Sequence, residues 1–288
     1  MSEHKSIETV VEDIYNLFSD ENERVVSDAD KEAFIEQVCM SVRRSIEEKR
    51  DRKANLRLSL VGQPDRKIWY EINQAPQETL SPNNRIKFLF GDILEALLVL
   101  LTRTSGHEVT DEQKEVEVNG VLGHIDGKID GTLVDFKSAS PFGFRKFKYG
   151  HLASDDPFGY IAQISSYAKA EDAKEAGFLA IDKSNGEIAY LPIHDLEMIN
   201  AEERIEKVRG VVGHSTPPDR CYSDVPDGKS GNRRLDTGCV YCSFKRTCWS
   251  DANNGQGLRA FKYSNGIRYL TQTQKQPDVE EIPMDSLD

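Results

Sequence analysis

No run in this 288-residue chain comes near the roughly 18–20 consecutive apolar residues that a bilayer-spanning helix needs. The N-terminus, "MSEHKSIETVVEDIYNLF", lacks the basic start of a secretory signal and carries acids instead. These two lacks predict a cytoplasmic protein without a membrane partner. An excess of positive charge is missing too, since the formal net charge is −12. This argues against binding of nucleic acid through bulk basicity but decides little, since basic residues gathered in one groove would still serve. There is no internal repeat. Cysteine is scarce, at five residues, yet Cys239, Cys242 and Cys248 fall within ten positions. In a reducing compartment such a cluster points to metal rather than to disulfides. What remains is an ordinary globular composition, 38% hydrophobic and 30% charged, long enough for one large domain or two small ones.

Apolar residues at helical spacing predict helices over 7–19 and 28–52, the second running into the mixed-charge "RRSIEEKRDRK", read as a solvated face. "QPDRKIWYEINQAPQETLSPNN", broken by three prolines, predicts loop with one short element. From Arg85 a leucine-rich stretch, apolar almost all round, predicts a long buried helix that stops near Gly106. Three strand-like pieces follow, with turns at Asn119-Gly120 and Asp130-Gly131. A loop over "PFGFRKFKYGHLASDDPFG" leads to a helix over 159–176, a hairpin around Asn185-Gly186 and a helix in "DLEMINAEERIEKVRGVV". This succession suits an α/β layer structure. The expected parts are an N-terminal helical region (1–84), a core (85–212), a cysteine lobe (213–262), and a C-terminal hairpin with an acidic tail (263–288). The last eleven residues hold five acids and no base, which predicts disorder.

"GHIDGKIDGTLVDFKSAS" (123–140) places charge where strands should supply apolar side chains. Along a strand Asp135 and Lys137 point one way and Phe136 the other. If Asp126 lies on the paired strand, two carboxylates approach each other and need a cation between them. Magnesium favours such oxygen ligands together with substrate phosphate, and the lysine ammonium would assist the attacking water. The chemistry in outline is phosphodiester hydrolysis. The plain alternative is a surface hairpin with scattered charges.

An aspartate followed about ten residues later by Asp-x-Lys resembles the PD-(D/E)xK nuclease superfamily, and further segments resemble its RecB-like exonuclease branch. That branch carries Gly-x-x-x-(His or Glu) on a preceding helix, matched by Gly91 and Glu95, and Gln-x-x-x-Tyr on a following one, matched by Gln163 and Tyr167. The resemblance implies a central mixed sheet flanked by helices. It also implies Mg2+ or Mn2+ held by Glu95, Asp126, Asp135 and the Phe136 carbonyl, with Lys137 catalytic and Gln163 and Tyr167 on the DNA. Glu95 within a nearly all-apolar helix is an acid in need of a partner, and Gln163 and Tyr167 share one helical face. His124 reads as structural and Asp130 as a turn residue. Phe142, Phe144, Arg145, Lys146, Phe147, Lys148 and Tyr149 alternate bases with aromatics, as a loop that grips DNA would. An aromatic anchor for a long loop is the other reading.

"CVYCSFKRTCW" spaces thiols as Cys-x2-Cys-x5-Cys, with Cys221 eighteen residues earlier. Four thiolates suit zinc or an iron-sulfur cluster, but a zinc ribbon usually has two Cys-x2-Cys knuckles and only one is present. The spacing resembles the iron-sulfur nucleases, among them the AddB nuclease domain and the CRISPR-adaptation nucleases, which implies a 4Fe-4S cluster with Zn2+ as the alternative. Their fourth cysteine precedes the core, where this chain has "QPDRKIWYE" instead. Cys221, in a polar loop, is the favoured substitute. Cys39 reads as a small buried hydrophobe. "LRLSLVGQPDRKIWYE" with this tail also resembles exonucleases of tailed bacteriophages.

The expectation is a metal-dependent DNA exonuclease of recombination, repair or phage DNA metabolism, acting on strands with free ends. RNA is a less favoured substrate of the same chemistry. A nuclease fold that only binds DNA or assembles, with a zinc site, is the alternative. The acidic tail would recruit a protein partner or merely solubilise.

Overall fold

The computed structural model describes residues 5–19, 25–47, 55–78, 82–194, 198–264 and 266–287. After a 3-10 turn at Ile7–Thr9 come α1 (Val10–Asn16), α2 (Asp28–Ile46), α3 (Leu58–Val61), α4 (Asp65–Ile72) and α5 (Pro82–Thr104). Then follow β1 (Val109–Thr110), β2 (Glu115–Val118), β3 (Val121–His124), β4 (Gly127–Ile129), β5 (Thr132–Ala139), α6 (Pro141–Lys148), α7 (Tyr160–Ala170), β6 (Glu175–Asp182), β7 (Ile188–His194) and α8 (Ala201–Val212). The remainder holds β8 (Val225–Pro226), β9 (Arg233–Arg234), α9 (Thr237–Val240), α10 (Lys245–Cys248), α11 (Ala252–Gly255), β10 (Arg259–Tyr263), β11 (Gly266–Gln272) and β12 (Glu281–Ile282). Two compact units interleave in sequence. The first takes the described residues of 1–51, 56–62 and 86–207, the second those of 52–55, 63–85 and 208–288.

The first unit is a mixed α/β fold around a five-stranded sheet in the order β1-β4-β5-β6-β7, in which only β5 and β6 run parallel. β5 is central and reads as a near-continuous buried run because both of its faces are covered. Leu133 joins Phe178, Ala180 and Ile193 with Ile164, Phe144 and Ile205 from the helices on one face. Val134 and Phe136 join Leu179 and Ile188 with Ile14 and Leu98 on the other. Strand alternation thus carries Phe136 into one core and aims Asp135 and Lys137 at the opposite side. The turns at Asn119-Gly120 and Asp130-Gly131 have all four residues at positive φ, as a tight primed hairpin turn requires. Asp130 does more than turn the chain, since its carboxylate accepts from Glu108 N (3.0 Å) and meets Nδ1 of buried His107 (2.6 Å).

Several expectations need correction. Residues 141–148 form a helix, not a loop: Ser140 caps it, Pro141 opens it, and Phe144 and Phe147 drop into the core. The helix expected over 159–176 stops at Ala170, because Glu175 and Ala176 already belong to β6. α5 is not buried throughout: Ile86, Phe88 and Phe90 are exposed, and only its later turns, at Ala96, Leu98 and Thr102, are sealed. Cys39 lies exposed on α2 rather than buried. Residues 48–52 of the second expected helix and 195–197 of the last lie outside the described residues.

The second unit carries an antiparallel sheet in the order β12-β10-β11-β9-β8 and a small core of Leu235, Trp249, Ala252 and Leu258. The acidic end, expected to be disordered, supplies β12, which pairs Ile282 with Ala260 and Glu281 with Phe261. Arg259 fastens this edge through an ion pair to Glu281 (2.6 Å). Among the described residues, no helix is long and apolar enough to cross a membrane.

Candidate functional site

β5 delivers Asp135 and Lys137 to one surface two residues apart, and the Lys137 ammonium closes directly on the Asp135 carboxylate. Asp135 is 2% exposed, its Oδ1 has no hydrogen-bond partner, and Oδ2 meets only Lys137. A buried carboxylate oxygen left bare is costly, so this atom marks a place built for something further. Asp126 stands just before β4, whose Gly127 pairs with Val134, and its Oδ2 accepts from Phe136 N at 2.9 Å. Glu95 approaches from α5, with Oε1 accepting from the Gln113 side chain at 3.1 Å.

The electrostatics join these groups. Burial, then the Asp135 charge, pushes Glu95 up to about 7, while Lys137 and Arg44 pull it back. Burial, then Asp135 and Glu95, raises Asp126 well above the ordinary carboxylate range. For Lys137, burial alone would lower the ammonium, but Asp135 and Asp126 outweigh it and hold the group above its usual value. Three acids and one base therefore share a poorly hydrated place.

The expectation of a ready-made cation cage is not met. Among the described residues no three His, Cys, Asp or Glu side chains stand in a metal-holding group. The physical reason is visible: each carboxylate has turned to its own partner, Asp135 to Lys137, Asp126 to the Phe136 amide, and Glu95 to Gln113. A hard cation still fits the donor set. It would satisfy the bare Asp135 oxygen and relieve the repulsion that raises Glu95 and Asp126.

Gln163 Nε2 donates to Tyr167 Oη (3.1 Å), so the two do share a helical face. Tyr167 is nevertheless a core residue, 3% exposed, and burial pushes its hydroxyl up to about 12. Arg145 Nε donates to the Pro141 carbonyl, Lys146 pairs with Asp155 (2.7 Å), and Lys148 pairs with Glu187. His124 is exposed and lies 3.7 Å from Glu115. Two contributors escaped the sequence reading. Gln113 holds Glu95 by its side chain and the Asp126 carbonyl by its backbone N–H (3.4 Å). Tyr160 places its ring under the Lys137 ammonium, 5.0 Å from Nζ to centroid. Tyr160 could have been found, because it lies three and seven residues before Gln163 and Tyr167 on one helical face. Gln113 sits in an irregular turn and left no signal.

In the second unit Cys221, Cys239, Cys242 and Cys248 line one cavity, together with Arg66, Lys67, Tyr70 and Trp249, but among the described residues no three of these thiols stand in a metal-holding group either. The thiols sense one another: burial first, then Cys242, Cys248 and Cys221, pushes Cys239 up to about 12, while the nearby Trp249 indole lowers it. Cys221 rises through burial, opposed by the Lys67 and Arg66 backbone N–H groups at the start of α4. "QPDRKIWYE", which lacks the expected cysteine, thus reaches the thiols through the first turn of a helix.

No family model matches this chain, and no curated protein does. Among solved structures, SSO0001 shares 15% identity over 76% of this chain and 96% of its own, with a TM-score of 0.39. An alkaline exonuclease from Laribacter hongkongensis shares 15% over 63% of this chain and 94% of its own, with a TM-score of 0.38. A phage-related exonuclease from Haemophilus somnus 129PT shares 15% over 54% and 88% respectively, with a TM-score of 0.37.

Proposed function

We propose that the chain is a divalent-metal-dependent deoxyribonuclease that removes nucleotides from DNA ends. The observation that carries this reading is the Asp135 carboxylate, buried with a bare Oδ1 beside an ammonium and flanked by two acids that its charge helps to raise. Glu95, Asp126, Asp135 and the Phe136 carbonyl would hold Mg2+ or Mn2+, which when bound supplies charge neutralisation on the phosphate and an activated water.

Lys137 would act as a fixed charge and hydrogen-bond donor rather than as an acid or base, because Asp135 and Asp126 keep it protonated. Its ammonium would face the oxygens on which negative charge accumulates. Tyr160 supports that ammonium through its ring face. Gln163 offers its amide to the strand, and buried Tyr167 positions Gln163 rather than touching DNA. Arg145, Lys146 and Lys148 on α6 would meet phosphates by exchanging their present partners, Asp155 and Glu187 among them, for the strand.

For the cysteines, the reading is a 4Fe-4S cluster on Cys221, Cys239, Cys242 and Cys248, supported by four thiols on one cavity and by N–H groups aimed at Cys221. Protein purified without oxygen should be brown and contain iron and sulfide. A colourless zinc protein would leave the nuclease site standing and remove the cluster.

Asp135→Ala and Lys137→Ala should each abolish magnesium-dependent release of nucleotides from labelled linear DNA while the circular dichroism spectrum is kept. Full cleavage by both variants would overturn the assignment. DNA binding by the wild type with no cleavage under any divalent ion would make the chain a binding module instead.

A further inference from the structure

The second unit has a cleft of about 530 Å³ that the hydrolytic reading does not use. Its size is that of a small-molecule site, which typically runs from roughly 300 to 1,000 Å³. Trp249, 5% exposed, lies against it, and the Arg220 guanidinium is placed over the indole at 4.0 Å from the ring centroid. That guanidinium is tied at its edge: Nε and Nη2 donate to the Cys248 carbonyl (3.2 and 3.0 Å), and Nη2 also meets Asp251. A planar cation fixed in this way offers its free face to another planar group.

The walls are amides. Asn254, Gln256 and Gln272 line the cleft, and their side chains make no hydrogen bond among the described residues. Their neighbour Asn253 is fully engaged, with Nδ2 on the Gly257 and Leu270 carbonyls (2.8 and 3.0 Å) and Oδ1 accepting from Thr273 (3.0 Å). Asn253 and Asn254 both take left-handed backbone angles, φ +48° and +59°, so the anchored residue presents the free one. Each free amide carries both donors and an acceptor, the mixed pattern found on a base edge. Charge is balanced: Arg220 is paired with Asp251, Arg259 with Glu281 and Asp224 with Arg233. Recognition here would therefore come from stacking and hydrogen bonds rather than from attraction to phosphate.

We propose that this cleft binds one nucleobase-bearing unit, a nucleoside monophosphate either free or within a single strand. The base would stack on Arg220, and its edge would meet Asn254, Gln256 and Gln272.

Calorimetry on the full chain, without added divalent ion, tests this with thymidine 5′-monophosphate, a five-residue oligothymidylate and an abasic pentamer of equal charge. The oligothymidylate should bind at least tenfold more tightly than the abasic strand. Saturable binding of the mononucleotide as well would mark free nucleotide as a ligand, and its lack would restrict the cleft to strands. Asn254→Ala/Gln256→Ala/Gln272→Ala should lower affinity for the oligothymidylate at least tenfold, and Gln272→Ala alone about threefold. In Trp69→Phe, Trp249 is the only tryptophan left, and its fluorescence should change on titration. Equal affinity for the abasic strand, or unchanged affinity in the variants, would overturn the proposal. No hydrolysis enters the measurement, so this result and that of the Lys137 and Asp135 variants stand apart.

Discussion

At the scale of single residues, the first unit keeps acids together that water would keep apart. With Glu95 raised to about 7, folding favours its protonated form, so this contribution to stability is present at low pH and lost as pH rises through about 7. On the proposed reading, a divalent ion would replace the proton and reverse the loss. Magnesium should therefore raise the melting temperature by several degrees at pH 8 and hardly at all at pH 5.5, as differential scanning calorimetry would record. An equal shift at both pH values would count against carboxylate ligation. Asp135 and Lys137 were legible because strand alternation alone puts them on one face. The partners that now occupy each carboxylate were not, since Gln113 reaches Glu95 through an irregular turn that no periodicity describes.

Among the elements, α6 shows how a legible signal can be passed over. Ser140-Pro141 is a helix start, and Phe144 and Phe147, three apart, make a core-facing stripe. Bases alternating with aromatics give the same stretch the look of a gripping loop, although burial of alternate aromatics is what packing against a sheet demands. A second matter at this scale left no trace in the sequence. The end of α3 and the start of α7 touch backbone to backbone, and a Cβ on Gly62 would stand 2.0 Å from the Gly159 carbonyl oxygen. Gly159 also has a left-handed φ of +74°. Gly62→Ala and Gly159→Ala should each cost about 2–3 kcal/mol in urea unfolding, the upper range for overpacking. A loss below about 0.5 kcal/mol would mean that the two segments readily part.

For the molecule as a whole, the sheet and its flanking helices followed from the order of predicted strands and helices. The interleaving did not, because the described residues of 52–55 and 63–85 join a unit whose remainder begins at 208, and contacts of such long range have no local signature. Cysteine spacing identified three members of the thiol cavity. The fourth rested on the chemistry of its surroundings, and Cys221, itself exposed, lines that cavity while Cys39 lies in the other unit. Cys221→Ser should lower bound metal per chain and the melting temperature together, and Cys39→Ser should change neither. Metal analysis with a thermal scan decides between them, and the reverse outcome would reassign the ligand.

Residues 76–78 are laced to the thiol-bearing loop: Thr247 donates to the Pro76 carbonyl (2.8 Å), Glu78 N to the Ser243 carbonyl (2.8 Å), and the Lys245 ammonium is held by Glu78. Lys245 is only 8% exposed, so a trypsin cleavage point is hidden by contacts with a segment some 170 positions earlier. If the proposed cluster holds the sulfurs, its loss in air would slacken that lacing and open the bond after Lys245 to the protease. A gel lane would then show a fragment ending near position 245 in air-exposed material and none in protein purified without oxygen.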